Sequence, residues 1–322
     1  MKIAANRNWR TYGTRNDRIA AIICATAFIG LASSGRAAEL PLHADDSKII
    51  QQIAAAAGLD AEPELNPKRG WPSLKGELSV RLSAKEGKRV LLLGHDAAGR
   101  VTKLIGNGPL LTNQAFGLLT NLSELRSIRI DHNTPAPGSG GDIEQYDGSG
   151  LAALADSKLE EIKIGHAFDD DGMAALARVK SLRSATIGHS RATDAGIAHF
   201  AKHPNLEEFH ISPQARPNRV TNKCLPALAT VPKLKRLGLH ETFVTYDGGL
   251  EHLKVLKGTL AFVSFKNGLV LPADVEKLKT DHPGLEVETS TPAEILAAPN
   301  SRGVLRWASP EAVQYLNSGS VK

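Results

Sequence analysis

Leu182-Arg183-Ser184-Ala185-Thr186-Ile187-Gly188-His189-Ser190-Arg191-Ala192-Thr193-Asp194-Ala195-Gly196-Ile197-Ala198-His199-Phe200 is the stretch whose reading decides the fold. Ala185 and Ile187 bracket an outward Thr186, the period of two that a half-buried strand requires. Gly188, His189 and Ser190 make a turn, and Thr193 is the type of residue that opens a helix by accepting a backbone N–H. Ile197 and Phe200 then fall on one helical face. The pattern restarts at Leu206. A single strand and a single short helix cannot bury their apolar faces alone, so the unit needs copies of itself on both sides.

The copies are present. Repeats start at Val101, Leu125, Leu159, Leu182, Leu206, Leu234, Leu260 and, truncated, Leu285, at spacings of 24, 34, 23, 24, 28, 26 and 25 residues. Three and five places after six of the starts stand Ile128/Ile130, Ile162/Ile164, Ala185/Ile187, Phe209/Ile211, Leu237/Leu239 and Val263/Phe265. Thr112, Thr193 and Thr245 each lie eleven places after a start and are read as helix-opening residues, while the repeat at Leu159 offers Asp169-Asp170-Asp171-Gly172, carboxylates suited to a helix N-terminus. Two repeats depart from the period directly after the strand: about ten extra residues run from Pro135 to Tyr146, and about four lie around Pro213 to Asn218. Insertions in such arrays collect on one face, often the binding face, although a tolerated bulge is an equal alternative.

These residues carry a resemblance. Thr193-Asp194-Ala195-Gly196-Ile197 and Phe243-Val244-Thr245-Tyr246-Asp247-Gly248-Gly249-Leu250 resemble the bacterial, ribonuclease-inhibitor-like leucine-rich repeats that run L-x-x-L-x-L-x-x-T-x-V-T-D-A-G-L-x-x-L. The stretch from Val275 to Val287 is similar to the closing half-repeat of such proteins. The resemblance implies an α/β leucine-rich repeat solenoid over 90–288, with parallel strands on a concave face and helices on a convex one. It implies a scaffold rather than a chemistry.

The flanks set the compartment and the limits. Lys2, Arg7, Arg10, Arg15 and Arg18 precede the uncharged 16-residue run Ile19–Ser34 and the small residues Gly35 and Ala37. That order predicts a secretory signal peptide over 1–37, cleaved after Ala37, since the apolar run falls short of the about 20 residues a membrane span needs. Removing its six basic residues and one acid from the totals of 39 and 34 leaves 33 of each, a formal net charge of zero. The sequence pI of about 9.1 therefore belongs to the leader, and it is no argument for nucleic acid. Cys24 departs with the leader, so Cys224 is left alone and no internal disulfide forms. Residues 38–89 read as an N-terminal capping region, with a helix opened by Asp45-Asp46-Ser47, a loop over Glu62–Pro72 and a strand at Leu78, Val80 and Leu82. Val90–Leu93 and Val101–Leu104 around Asp96–Gly99 read as a hairpin. Residues 289–322 form a tail, a linker over Thr289–Ser301 in which Ala293–Ala297 can make a helical turn, followed by a small apolar helix near Pro310–Leu316 that either caps the last repeat or docks elsewhere.

Counting two, four and six places from each start gives the residues that face away from the core. Among them Arg129, Asp131, Glu161, Lys163, Glu208, His210, Arg236 and His240 are the candidate binding residues, a surface of mixed sign that fits a protein ligand better than a phosphate backbone. His132, His166 and His189 all fall seven places after a start; strands about 4.8 Å apart would set them in a ladder or around a metal. Three ligands in a line do not make the tetrahedron zinc favours, so they are read as repeated turn histidines and no cofactor or metal is expected. Gly188-His189-Ser190-Arg191-Ala192 lacks the closing Gly of a nucleophile elbow, and its phase is that of the repeat. The expectation is an exported, non-enzymatic protein that binds an unknown protein partner; a metal-binding or catalytic use of the histidine row and a structural envelope role are the alternatives.

Overall fold

The computed structural model describes residues 40–65, 80–85, 89–107, 111–131, 142–214, 220–298, 304–306 and 308–318. The chain divides into two units, Met1–Ala37 and Ala38–Lys322, and every described residue lies in the second. Leu78, His132 and most of the 135–146 insertion lie outside the described residues, as does the leader.

Among the described residues one sheet contains all eleven strands in chain order: β1 (Glu64–Leu65), β2 (Val80–Ser83), β3 (Val90–His95), β4 (Val101–Asn107), β5 (Ser127–Asp131), β6 (Glu161–Gly165), β7 (Ser184–Ser190), β8 (Glu208–Pro213), β9 (Arg236–Leu239), β10 (Phe262–Phe265) and β11 (Glu286–Thr289). The first four pair antiparallel, and from β4 onward every pairing is parallel. The expected hairpin is β3–β4, and β4 doubles as the strand of the first repeat. Register follows the repeat count: Ser127, Glu161, Ser184, Glu208, Arg236, Phe262 and Glu286 lie side by side in one row. The inward Ile128, Ile162, Ala185, Phe209, Leu237 and Val263 are buried to 1% exposure or less, because each meets its counterpart on the next strand and the helical layer behind.

That layer consists of short pieces, since a period near 24 residues must also hold the strand and the two connections. Helices α2 (Asn113–Leu118), α3 (Asp170–Leu176), α4 (Asp194–Ala198) and α5 (Leu225–Leu228) alternate with 3-10 stretches at Ser149–Leu154 and Leu250–Leu256. Thr112, Asp169 and Thr193 cap as expected, their side chains accepting the N–H of Ala115, Asp171 and Ala195. Thr245 does not cap a helix. Tyr246–Gly249 intervene, so the 3-10 stretch begins only at Leu250, and Thr245 instead receives a bond from Asn222.

A side-chain clamp joins successive repeats at this level. Asp170 accepts the Thr193 N–H at 2.7 Å with one oxygen and the Thr193 hydroxyl at 2.7 Å with the other. One repeat on, Asp194 accepts the N–H and hydroxyl of Thr221 at 2.8 and 2.7 Å. Asn222 repeats the contact to Thr245, accepting the N–H at 3.0 Å and donating to the hydroxyl at 2.6 Å. Earlier in the chain, Asn113 reaches across the long repeat to accept Gly148 N–H and Gly150 N–H at 3.2 and 3.3 Å. Gly196 belongs to this clamp, because a Cβ there would sit 2.2 Å from the Asp170 carboxylate. The Thr-Asp-x-Gly signature thus reads as donor, acceptor and the gap that admits the preceding acceptor.

A second row of contacts was not foreseen. The backbone carbonyls of Arg126, Glu160, Arg183, Glu207 and Lys235 each accept two N–H groups of the next repeat at 2.8–3.1 Å. Their side chains alternate in sign and pair at 2.6 Å (Arg126–Glu160), 2.6 Å (Arg183–Glu207) and 2.7 Å (Lys235–Glu207). The two cations hold the Glu207 carboxyl below its ordinary range, Lys235 foremost. These pairs are exposed, so each adds well under about 1 kcal/mol to stability.

Both ends are closed. Helix α1 (Ala44–Ala56) is capped by His43, so Asp45 and Asp46 lie in its first turn rather than before it. Asp46 is fully buried there, accepting Arg100 Nη1 at 2.8 Å and Val101 N–H at 2.7 Å, and it seats the cap on the start of β4. The expected loop over Glu62–Pro72 contains the short edge strand β1. At the other end, α6 (Pro272–Asp281) and β11 make the closing half-repeat, with Glu286 and Glu288 charging the edge. The tail packs back on the last repeat, one of its two expected placements. Thr291 and Glu294 form a capping box that opens α7 (Pro292–Ala297), and α8 (Pro310–Ser318) follows. Ile295, Val304, Ala312 and Leu316 pack with Leu269 of the last full repeat into a second small core.

The clamp predicts a contrast between two glycines. Gly196→Ala should cost about 1–3 kcal/mol, the usual range for overpacking. Gly188→Ala, whose added Cβ meets nothing within 4 Å, should be neutral or mildly stabilising. Urea unfolding of both variants checks this; equal midpoints would refute the role given to Gly196.

Candidate functional site

The site grows from the residue seven places after each repeat start, where the chain leaves the strand. His166, His189, Glu241 and Asn267 occupy that place with φ of 62, 48, 54 and 53°. The left-handed conformation turns the chain sharply off the sheet, and it costs a residue with a Cβ about 1–2 kcal/mol. Pro213 holds the place in the intervening repeat; its ring excludes positive φ, and that repeat is the one carrying the four-residue insertion.

The turn throws these side chains over the solvent face of the sheet, around a cleft of about 400 Å³. Lys163, Thr186 and His210 line it from the row four places after each start, Asp131, Ser212, His240 and Lys266 from the next outward row, and His166, His189, Glu241 and Asn267 from the turns.

Glu241 is its anchor. Only 5% exposed, it accepts the Ser212 hydroxyl at 2.6 Å, and His189 Nε2 lies 3.4 Å from the same oxygen. Three consecutive repeats are thereby joined at their exits. The bond to Glu241 raises the His189 pKa, with burial opposing. His166 packs edge-on against His189, ring centres 5.8 Å apart.

A second imidazole pair, His210 and His240, lies 5.6 Å apart beside Gly238. A Cβ on Gly238 would fall 2.1 Å from His210 Nδ1 and 3.0 Å from His240 Nε2, so the pair exists because that residue has no side chain. The Ser264 hydroxyl donates to Glu288 at 2.5 Å and therefore accepts from His240 Nε2 at 3.0 Å. This fixes the proton of His240 on Nε2 and leaves Nδ1 as an acceptor. Burial lowers the pKa of His210, and burial followed by the neighbouring His210 pushes His240 down to about 4. The cleft thus combines two neutral imidazoles with a histidine that charges readily. It can donate and accept hydrogen bonds at several points, and Ser264, 1% exposed with its proton committed to Glu288, is not placed as a nucleophile.

The structure brings together Asp131, Lys163, His166, His189, His210 and His240 of the residues picked from the sequence. The other four binding candidates lie around it. Arg129 pairs with Asp131 at 3.2 Å, Glu161 accepts from Ser127 at 3.1 Å, Arg236 stacks at 4.1 Å over the Phe262 ring, and Glu208 lies 3.7 Å from Arg236. His132 lies outside the described residues, so the proposed row of three is seen as a pair. Glu241 and Asn267 were missed, although Glu241 shares the register of the histidines and could have been found by that count alone. Lys266 and Ser212 stood in the outward rows without being singled out.

Among the described residues, the one trio of His, Cys, Asp or Glu close enough to share an ion is Asp147, Asp169 and Asp171, away from the cleft. These carboxylates serve the turns: Asp147 accepts from Asn113 and Ser149, and Asp169 caps α3. Cys224 is fully buried, and that burial pushes its thiol pKa up. No described helix is long and apolar enough to cross a membrane. Comparison of the sequence with protein-family models and with curated proteins finds no match.

The two kinds of histidine predict opposite pH responses. His189, with its raised pKa, contributes stability that is complete below the ordinary value of 6.5 and is lost as pH rises through the raised value. His210 and His240 contribute stability present above 6.5 and lost as pH falls, for His240 through about 4. Imidazole NMR should show His189 titrating above the ordinary value, Glu241→Gln bringing it back, and His240 still neutral at pH 5.

Proposed function

We propose that this chain is an exported, non-enzymatic leucine-rich repeat protein of the ribonuclease-inhibitor-like short-repeat kind, directed by a leader over 1–37, and that it holds a protein partner on its solvent sheet face and adjoining loops. The observation that carries the reading is the in-register outward rows of β5–β10. Inward residues are buried while their outward neighbours, Ser127, Arg129, Glu161, Lys163, Thr186, Glu208, His210 and Arg236, are half-buried or exposed. A rigid parallel platform whose side chains differ from strand to strand can discriminate partners without rearranging. Arg236 stacked on Phe262 adds the type of residue pair that concentrates binding energy at protein interfaces. The mixture of signs speaks against a nucleic-acid backbone. A binding rather than catalytic role is supported by the burial of the nucleophile candidates Cys224, Ser190 and Ser264.

A photo-crosslinking residue at Thr186, in the cleft, should trap a partner in the native envelope, and the same residue at His252, exposed on the helical side, should not. Charge reversal at Arg129, Lys163 and Glu208 should reduce the Thr186 adduct. Trapping only from His252 would place the interface on the other side.

A further inference from the structure

The cleft's charges are unevenly satisfied. Its acids are all engaged within the protein: Asp131 by Arg129 at 3.2 Å, Glu241 by Ser212 and His189, and Glu288 at the margin by Ser264. Its lysines are not. Neither Lys163 nor Lys266 makes an ion pair among the described residues, although both line the cleft. Lys163 lies directly beside Arg129 across β5 and β6, and Arg129 takes up Asp131, so that carboxylate is already engaged by the neighbouring cation.

Distance supplies a second constraint. Lys163 stands on β6 and Lys266 just beyond β10, four strand spacings or about 19 Å apart across the sheet and two residues or about 7 Å apart along it, about 20 Å in all. An extended chain rising about 3.3 Å per residue covers that in about six residues, an even number that puts both ends on one side of the strand. Between the two lysines stand Thr186 and His210, polar groups able to bond a backbone.

We propose that the cleft receives an extended acidic segment of the partner, one carboxylate at Lys163 and a second, six residues along, at Lys266. The proposal rests on the reading of the sheet face as a protein-binding surface and assigns the chemistry of what it binds.

Nine-residue peptides of Ser, Thr and Gly, titrated into the full chain by calorimetry, test it: Glu at positions 2 and 8, Glu at 2 and 4, Gln at 2 and 8, and Lys at 2 and 8. The 2/8 Glu peptide should bind about tenfold more tightly than its Gln counterpart, the scale of two exposed ion pairs, and more tightly than the 2/4 peptide. Lys163→Glu with Lys266→Glu should abolish that binding and admit the Lys peptide instead; both sites are solvent-accessible, and an unchanged unfolding midpoint confirms the fold. Equal affinities for Glu and Gln peptides, or indifference to the lysine reversals, overturns the proposal. If the Gln peptide binds as well as the Glu peptide and Thr186→Trp blocks both, the face binds peptide without preferring acid, and only this inference falls. If no peptide binds, the acidic segment is rejected, while crosslinking at Thr186 decides the broader reading independently.

Discussion

The bond from one repeat's Asp or Asn to the next repeat's Thr is the contact on which the array depends. Hydrophobic burial alone would let neighbouring repeats slide, because rows of Leu and Ile tolerate small shifts with little loss. The paired bonds of Asp170 to Thr193 and Asp194 to Thr221 do not. Each holds both a backbone N–H and a hydroxyl, so any displacement along the strand leaves polar groups unmet at a helix start. The same acceptors belong to the first turns of α3 and α4, where the helix dipole favours negative charge. One side chain therefore stabilises its own helix and sets the height of the next. Asn222 shows that the geometry rather than the charge is essential, since its amide meets Thr245 in the same place.

The cleft is a consequence of that regular stacking. A repeat that must return from strand to helix in a few residues takes a left-handed turn at a fixed position, and glycine or asparagine would occupy it most cheaply. Histidine and glutamate stand there instead in three of the four described cases. The conformational cost is offset locally where Glu241 gathers Ser212 and His189 across three repeats. The result is a rigid rim, with chemically distinct groups held at spacings set by the strands rather than by loops.

Much of this was legible in the sequence because a repeat array is a one-dimensional object. Counting from Leu182 predicted which side chains face out, and the register of β5 through β10 follows that count row for row. The cap residues Thr112, Asp169 and Thr193 were readable for the same reason. What escaped had its partner outside the local pattern. Asp46 resembled a cap but serves Arg100 and Val101, more than fifty residues away, and the tail helix, readable as a cap on the last repeat, did not reveal Leu269 as the residue it packs on. Glu241 escaped for a subtler reason: histidines attract a search for chemistry, and the count that aligned them was not continued to the carboxylate in the same register.

The alternating charges at the strand starts carry a consequence for how such an array can change length. Arg126, Glu160, Arg183, Glu207 and Lys235 repeat their sign every second unit, so along this row the periodic element is a pair of repeats. Excising 182–205 would bring Glu160 beside Glu207, whereas excising 159–205 would bring Arg126 there and keep opposite signs in contact. Growth or loss by twos preserves the pattern and by ones breaks it. The row therefore acts as a parity constraint on duplication, written into a surface whose individual ion pairs contribute little to stability.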